Sequence, residues 1–272
     1  MMNKWLNHNL QERLTNRSSD FKAWVNPTPF SIMEFHAAAD YTVNEIIKLN
    51  KNIFLSLSGG VDSEYALLSF YRNKIPVIPI IIKTHFNDIE VEYAYHICKK
   101  LNIKYHHHVM DENDYLNFYS ACYKKINARF WYSIPNIIAS KIAKENNGLL
   151  VIGNEMTDYN FKSVWKVMCA EWDFYQDVIL PDNIHIDFFN HTPELAYKLI
   201  YEYDGSPVDE LKHRVFETSY RPKIEPVFPE EFHNKIKKLR GKQESVPNLY
   251  HIFGHRDEFI KTMESWNEKR IL

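Results

Sequence analysis

Along the first part of the chain, segments with apolar residues at helical spacing alternate with short, continuous apolar runs. This pattern predicts helices and strands in turn. Apolar residues at helical spacing follow Ser31 and predict a helix that Ser31 caps and that runs to about Leu49. The short apolar run NIFLSLS then predicts a buried strand. After a turn, EYALLSFY predicts a second helix.

The same alternation continues further along the chain. Apolar or β-branched runs predict three more strands, at residues 77–82, 103–110 and 149–153. Predicted helices lie between them, from Asn87 and Asp88 to Leu101, from Asp111 onward, and from Pro135 to before Gly148. Strands that alternate with helices indicate βαβ units, so the predicted fold class is α/β with a mostly parallel, Rossmann-like sheet.

The alternation divides the chain into three predicted regions. Residues 1–30 form an N-terminal extension that ends in NPTPF, where the prolines oppose regular helix. Residues 31–165 carry the strand–helix alternation, and residues 166–272 are expected to be mostly helical. One helix of this last region should begin at Thr192, because a capping residue is followed there by Pro193.

Composition and charge favour a globular protein that is not secreted. Hydrophobic residues make up 45% of the chain and charged residues 25%, so extensive disorder is not expected. The formal net charge of −2 argues against a protein whose main task is to grip duplex nucleic acid. The three cysteines form no CxxC pair, and no apolar run is long enough to span a bilayer. A cytoplasmic protein without a membrane partner is therefore expected.

The segment FLSLSGGVDSEYALL carries the clearest chemical signal. Gly59 and Gly60 let the backbone turn sharply and approach a ligand closely between a strand and a helix. The helix presents free N–H groups and its positive dipole end to this turn, and Ser58 and Ser63 add hydroxyl groups. These features predict a phosphate-binding loop. Asp62 would repel a phosphate unless Mg²⁺ lay between them, which predicts a magnesium ion.

This strand–SGGVDS–helix unit resembles the loop of the N-type ATP pyrophosphatases, the PP-loop superfamily. The superfamily includes GMP synthetase, NAD synthetase, asparagine synthetase, lysidine synthetase and 7-cyano-7-deazaguanine synthase. The order of elements is similar over roughly residues 35–160. The chain has no G-x-x-x-x-G-K-[ST] motif, so a P-loop ATPase that cleaves the γ-phosphate is disfavoured.

The resemblance implies a fold, cofactors and a reaction. It implies an adenine nucleotide alpha hydrolase-like domain at residues 31–165, with residues 166–272 on the substrate side. It also implies ATP and Mg²⁺ as cofactors in an adenylating ligase. Such an enzyme adenylates a substrate carbonyl oxygen, releases pyrophosphate and forms a C–N bond with ammonia or an amine. The likeness is to the synthetase domain of asparagine synthetase or to 7-cyano-7-deazaguanine synthase, but the zinc cysteines of the latter have no counterpart after Cys169.

The resemblance also implies site residues. Nucleotide binding falls to the loop, the end of the second strand and the end of the fourth strand: Ser56, Leu57, Ser58, Gly59, Gly60, Val61, Asp62, Ser63, Ile82, Lys83, Gly153 and Asn154. The metal ligands are Asp62, Glu155 and Asp158. The catalytic residues are Asp62, Arg129, Lys162 and Lys166. The predicted residues outside the loop also have interpretations without a role in the site. The acids would form a solvated turn, the arginine would pack on aromatic rings at the surface, and the lysines would be solvated.

The partners are predicted only in outline. A small-molecule substrate is favoured, and the ammonia is expected to arrive free, from an ammonia-supplying protein, or to be replaced by an amine of the substrate. Relatives are often dimers, so a homodimer is expected. The basic run KIKKLRGK keeps open a tRNA-modifying, lysidine-synthetase-like enzyme, although RNA is not favoured. A further alternative is a protein that binds ATP or AMP without turnover.

Overall fold

The computed structural model describes residues 5–8, 23–126, 134–153, 157–158, 166–170, 185–202, 213–216, 229–240, 249–253 and 256–268. The strands are β1 (Leu6–His8), β2 (Ala23–Val25), β3 (Asn52–Ser56), β4 (Ile78–Lys83), β5 (His106–Val109), β6 (Gly148–Ile152), β7 (Thr157–Asp158), β8 (Lys166–Ala170), β9 (His185–Asp187) and β10 (Leu249–Phe253). The helices are α1 (Phe35–Ile47), α2 (Val61–Arg72), α3 (Asp88–Leu101), α4 (Glu112–Ile126), α5 (Ile134–Glu145), α6 (Pro193–Tyr201), α7 (Glu230–Arg240) and α8 (Arg256–Glu268).

A parallel sheet of five strands, in the order β5-β4-β3-β6-β9, forms the centre of the fold. The middle strands are almost continuously apolar because helices cover both faces of the sheet. Edge strand β5 consists of His106, His107, His108 and Val109 and is largely exposed. This architecture confirms the predicted α/β fold class with a parallel sheet.

Each face of the sheet has its own hydrophobic core. On the first face, α1, α2, α3 and α6 pack on alternate strand residues, which include Leu55 and Val151. On the second face, α4, α5 and α7 pack on the intervening residues, which include Phe54 and Ile152. Strand side chains alternate between faces, so this division fixes the side of the sheet on which each residue lies.

A third cluster joins the beginning of the chain to its later helices. Trp5 and Phe30 are buried against residues of α6 and α8. The indole N–H of Trp5 donates to the carbonyl oxygen of Asn190 at 3.1 Å. The predicted N-terminal extension therefore packs on residues that are distant in sequence.

The predicted helix start at Ser31 is wrong, because α1 begins at Phe35. Residues 26–34 lack regular secondary structure, and tertiary contacts explain why. The Ser31 N–H donates to Glu194 Oε1 at 3.2 Å, and the Phe30 ring lies 5.2 Å from the ring of Tyr197. These contacts with α6 outweigh the local capping preference of Ser31.

The other predicted helices and strands agree with the structure within a few residues. Thr192 caps α6 as expected, accepting from the Leu195 N–H at 3.4 Å. Asn87 precedes α3, but its side chain binds the Thr84 N–H and the Ile82 carbonyl oxygen instead of capping the helix.

Several strands in the second half of the chain were not predicted. Strand β9 joins the parallel sheet beside β6, and β7, β8 and β10 form a separate antiparallel sheet. The predicted division at residue 165 stays a prediction, although β9 lies beyond it. Among the described residues, no helix combines the length and apolar character needed to cross a membrane.

Burial of α2 against the sheet can be tested with a matched pair of leucines. Leu67 of α2 is fully buried, whereas Leu239 of α7 is 39% exposed. We expect Leu67→Ala to lower the free energy of unfolding by about 2–5 kcal/mol through cavity formation. Leu239→Ala, which makes the same change in helix propensity, should cost less than about 1 kcal/mol. Urea unfolding measures both variants, and equal losses would contradict the described packing of α2.

Candidate active site

The SGGVDS loop lies at the carboxyl edge of the middle strand. The Leu57 N–H continues the hydrogen bonding between β3 and β4, since it donates to the carbonyl oxygen of Ile80 at 2.9 Å. The chain then turns at Gly59, whose φ is +89°, and α2 begins directly after Gly60. Since β3 has a neighbour on each side, the loop occupies the centre of the edge where open α/β sheets bind ligands.

The backbone of Gly59 packs against the first turn of α3. A Cβ atom at Gly59 would lie 1.8 Å from the carbonyl oxygen of Glu90, so no side chain fits there. Gly60 is different, because a Cβ atom there would lie 3.4 Å from Ser58 Oγ and its φ is −72°. Position 59 therefore requires glycine for both its backbone conformation and its space, whereas position 60 tolerates a Cβ atom.

Two serine hydroxyl groups hold the shape of the loop. Ser63 Oγ donates to the carbonyl oxygen of Gly60 at 3.0 Å and lies 3.2 Å from Ser58 Oγ. The Gly60 N–H donates to Ser58 Oγ at 3.3 Å. Ser63 is buried, but Ser58 and Gly60 are exposed. The loop thus presents the Ser58 hydroxyl group at the surface, while the buried Ser63 holds the turn in shape.

The end of β6 lies against the first turn of α2. A Cβ atom at Gly153 would lie 2.8 Å from the amide nitrogen of Ser63 and 2.9 Å from the carbonyl carbon of Asp62. The structure therefore brings together Gly153, Asp62 and Ser63, three of the residues predicted for the nucleotide site. The closeness of two backbones also explains why the residue here is glycine.

Asp62 lies in the first turn of α2 and is partly buried. A carboxylate is favourable at this end of a helix because the helix dipole is positive there. Among the described residues, no group of three or more His, Cys, Asp or Glu could hold a metal ion by itself. One carboxylate beside a turn that is predicted to bind phosphate does fit Mg²⁺, which commonly takes one or two carboxylates and completes its shell with phosphate oxygens and water.

The end of β4 reaches the same edge of the sheet. Ile82 is buried, and Lys83 Nζ lies 2.9 Å from Asp88 Oδ1 in the first turn of α3. The hydrogen bond to Asp88 raises the pKa of Lys83. Lys83 thus lies near the predicted nucleotide edge as an ammonium group already paired with a carboxylate.

Helix α7 contributes side chains near the end of β4. The His85 ring centroid lies 4.7 Å from that of Phe232 and 4.8 Å from that of Phe86. Lys235 Nζ donates to Glu112 Oε1 at 2.6 Å, which raises the pKa of Lys235. The later part of the chain therefore supplies Phe232, which packs on His85, and Lys235, which forms an ion pair with Glu112.

Sequence reasoning missed two polar residues at this edge. Asn136, in the first turn of α5, accepts at Oδ1 from Ser56 Oγ at 2.7 Å. Asp187 ends β9 in register with Ile152 of β6, and its Oδ2 accepts from Asn190 Nδ2 at 2.9 Å. The signal for Asn136 was a polar residue in the apolar run IPNIIASKIA, whereas the three-residue strand HID gave little warning.

The remaining predicted site residues are described in part or not at all. Arg129, Lys162, Asn154 and Glu155 lie outside the described residues. Asp158 and Lys166 are placed by their backbones, directly opposite each other in the antiparallel pair β7–β8. Their roles in metal binding and catalysis stay predictions.

Comparison with solved structures finds distant likenesses, two of them to synthetases. The NH3-dependent NAD synthetase from Campylobacter jejuni matches with 22% identity and a TM-score of 0.32, over 45% of this chain and 58% of that one. The NMN synthetase from Francisella tularensis matches with 14% identity and a TM-score of 0.39, over 89% of this chain and 94% of that one. No protein-family model and no curated protein matches the chain.

Adjacent glycines provide a test of the loop geometry. We expect Gly59→Ala to lower the free energy of unfolding by about 2 kcal/mol or more, because the methyl group meets the carbonyl oxygen of Glu90 and φ is unfavourable. Gly60→Ala should change it by less than about 1 kcal/mol. Thermal and urea unfolding measure this difference, and equal stability of the two variants would contradict the described turn.

Proposed function

We propose that this chain is an ATP pyrophosphatase that adenylates a substrate carbonyl oxygen and releases pyrophosphate. The observation that carries the proposal is the left-handed turn at Gly59, which joins the middle strand of a parallel sheet directly to the N-terminus of α2. Such a turn exposes backbone amides and the positive end of a helix dipole at the ligand-binding edge of the sheet. The sequence SGGVDS at this place supports a pyrophosphate ligand in particular.

The loop has the groups that a pyrophosphate requires. The first-turn amides of α2 are hydrogen-bond donors to phosphate oxygens, and the exposed Ser58 hydroxyl group can turn from Ser63 Oγ to add another. Gly60 has no side chain with which to cap α2, so no cap competes with a ligand for these amides. Ser63 holds the turn from below through its bond to the Gly60 carbonyl oxygen.

The Asp62 carboxylate would hold Mg²⁺ at this loop. The ion, when bound, neutralises phosphate charge and so makes pyrophosphate a better leaving group. Residues of the chain supply the rest of the catalysis by positioning the phosphates and by donating hydrogen bonds where negative charge develops. We further propose that Glu155 and Asp158 complete the metal site and that Arg129, Lys162 and Lys166 bind phosphate or substrate.

The finer part of the proposal concerns the second step. An acyl- or imidoyl-adenylate would react with ammonia or an amine, which forms a C–N bond and releases AMP; this makes the enzyme a ligase. A small molecule as substrate, an ammonia-supplying partner and a homodimer all stay predictions. A tRNA substrate would make binding strongly dependent on salt concentration, because phosphate contacts release counterions.

The proposed activity can be tested by removing one carboxylate. With ATP, Mg²⁺ and a panel of carboxylate and amide substrates, the protein should release pyrophosphate and form AMP. Asp62→Asn should lower this rate about 100-fold, the order of magnitude lost with one group that stabilises transition-state charge. Glu92→Gln removes an exposed carboxylate from α3 and should leave the rate unchanged.

Three outcomes would contradict the proposal. Release of orthophosphate in place of pyrophosphate would show cleavage at the γ-phosphate. Equal rates for Asp62→Asn and the original protein would remove Asp62 from the reaction. Tight binding of ATP with no pyrophosphate release from any substrate would favour a protein that only senses the nucleotide.

A further inference from the structure

A polar residue interrupts an apolar row that crosses the sheet. Ser56 of β3 pairs with Ile80 of β4, and the register of β3 with β6 places Ile152 on its other side. Both isoleucines are buried in the second-face core, and Ser56 is only 8% exposed. A hydroxyl group costs free energy at such a place unless it has a hydrogen-bond partner.

The partner of Ser56 is the side chain of Asn136. Ser56 Oγ donates to Asn136 Oδ1 at 2.7 Å, which fixes the orientation of the carboxamide. Asn136 lies in the first turn of α5, and this helix packs on β3, β4 and β6. Within the described part of the chain, no hydrogen bond engages the Nδ2 group of Asn136, and this group is not fully enclosed. Asn136 therefore presents an oriented pair of N–H donors.

The donor group lies at the end of the strand that leads into the candidate pyrophosphate loop. Ser56 precedes Ser58 by two residues, which is about 7 Å along a strand. The loop receives the two outer phosphates of ATP under the proposed function, so the α-phosphate is the next group along the nucleotide. A neutral amide donor at the end of β3 is therefore suited to an oxygen of the α-phosphate.

We propose that Asn136 binds the α-phosphate of the nucleotide through Nδ2 and that Ser56 is the positioning residue that orients its carboxamide. This inference rests on the proposed function and assigns a residue to the AMP half of the substrate. The pair lies on the second face of the sheet, whereas α2 packs on the first face. Asn136 and the N-terminus of α2 thus approach the nucleotide from different sides.

The test separates a binding role from a structural one. Isothermal titration measures the affinity of AMP, adenosine and magnesium pyrophosphate for the original protein, Ser56→Ala, Asn136→Leu and the double variant. The double variant replaces both hydrogen-bonding partners with apolar groups, which leaves no unsatisfied hydroxyl group and should preserve stability. Thermal unfolding of each variant confirms that it is folded.

We expect the double variant and Asn136→Leu to bind AMP about tenfold more weakly or worse, because a hydrogen bond to a charged group is lost. The affinity for adenosine and for pyrophosphate should change less than about twofold, because a substitution has little effect on binding at a site that it does not contact. Ser56→Ala should weaken AMP binding by a smaller factor, since Asn136 remains but loses its fixed orientation.

Each result that would contradict the inference has a different consequence. If the double variant binds AMP as the original protein does, the Ser56–Asn136 pair only ties α5 to the sheet and the inference is overturned, while the proposed function stands. An equal loss for adenosine would place the contact on the nucleoside and would also overturn it. If the original protein binds neither AMP nor pyrophosphate, the proposed function fails together with the inference.

Discussion

The contact between the backbone of Gly59 and the carbonyl oxygen of Glu90 is the constraint on which the candidate site depends. It leaves no room for a Cβ atom and holds the loop in a left-handed turn against the first turn of α3. A second close approach, between Gly153 and the Asp62–Ser63 backbone, holds the loop from the other side. The loop is thus clamped between two elements at the carboxyl edge of the sheet, and its amide groups need little reorganisation to meet a ligand.

The two-sided core gives this edge its chemistry. Because α2 covers the first face, its N-terminus meets the loop from that side, and α5 brings Asn136 from the second face. The middle strand is apolar between Asn52 and Ser56, and Ser58 follows its carboxyl end. Ser56 and Ser58 therefore lie at the carboxyl edge of the sheet, where ligands have access.

Local sequence signals predicted much of the fold up to Gly153. The pattern of apolar residues identified β3, β4 and β6 and the helices between them, since each of these elements buries one or both faces. The strand predicted at residues 103–110 agrees with β5, although β5 is largely exposed. The helix start at Ser31 failed because Glu194 and Tyr197, far away in sequence, hold residues 26–34 out of a helix. Strand β9 was missed because three residues give no measurable period, so only its neighbour β6 reveals it.

The site was predictable only in part for the same reason. The residues of SGGVDS adjoin each other in sequence, so their spacing carried the information, and the structure adds Gly153 to them. Asn136 and Asp187 reach the edge through tertiary packing, so neither the polar position in the run IPNIIASKIA nor the short strand HID identified a site by itself. The contact between Gly59 and Glu90 could not be predicted from the sequence either, because it joins residues of two separate loop–helix units.

Amide chemical shifts of the loop test the central claim most directly. With the ¹⁵N-labelled protein, magnesium and the α,β-methylene analogue of ATP, which cannot be cleaved between those phosphates, NMR reports which backbone N–H groups meet the ligand. We expect the largest changes at Gly59, Gly60 and the first turn of α2. Saturable binding that shifts other amides while these stay unchanged would contradict the account.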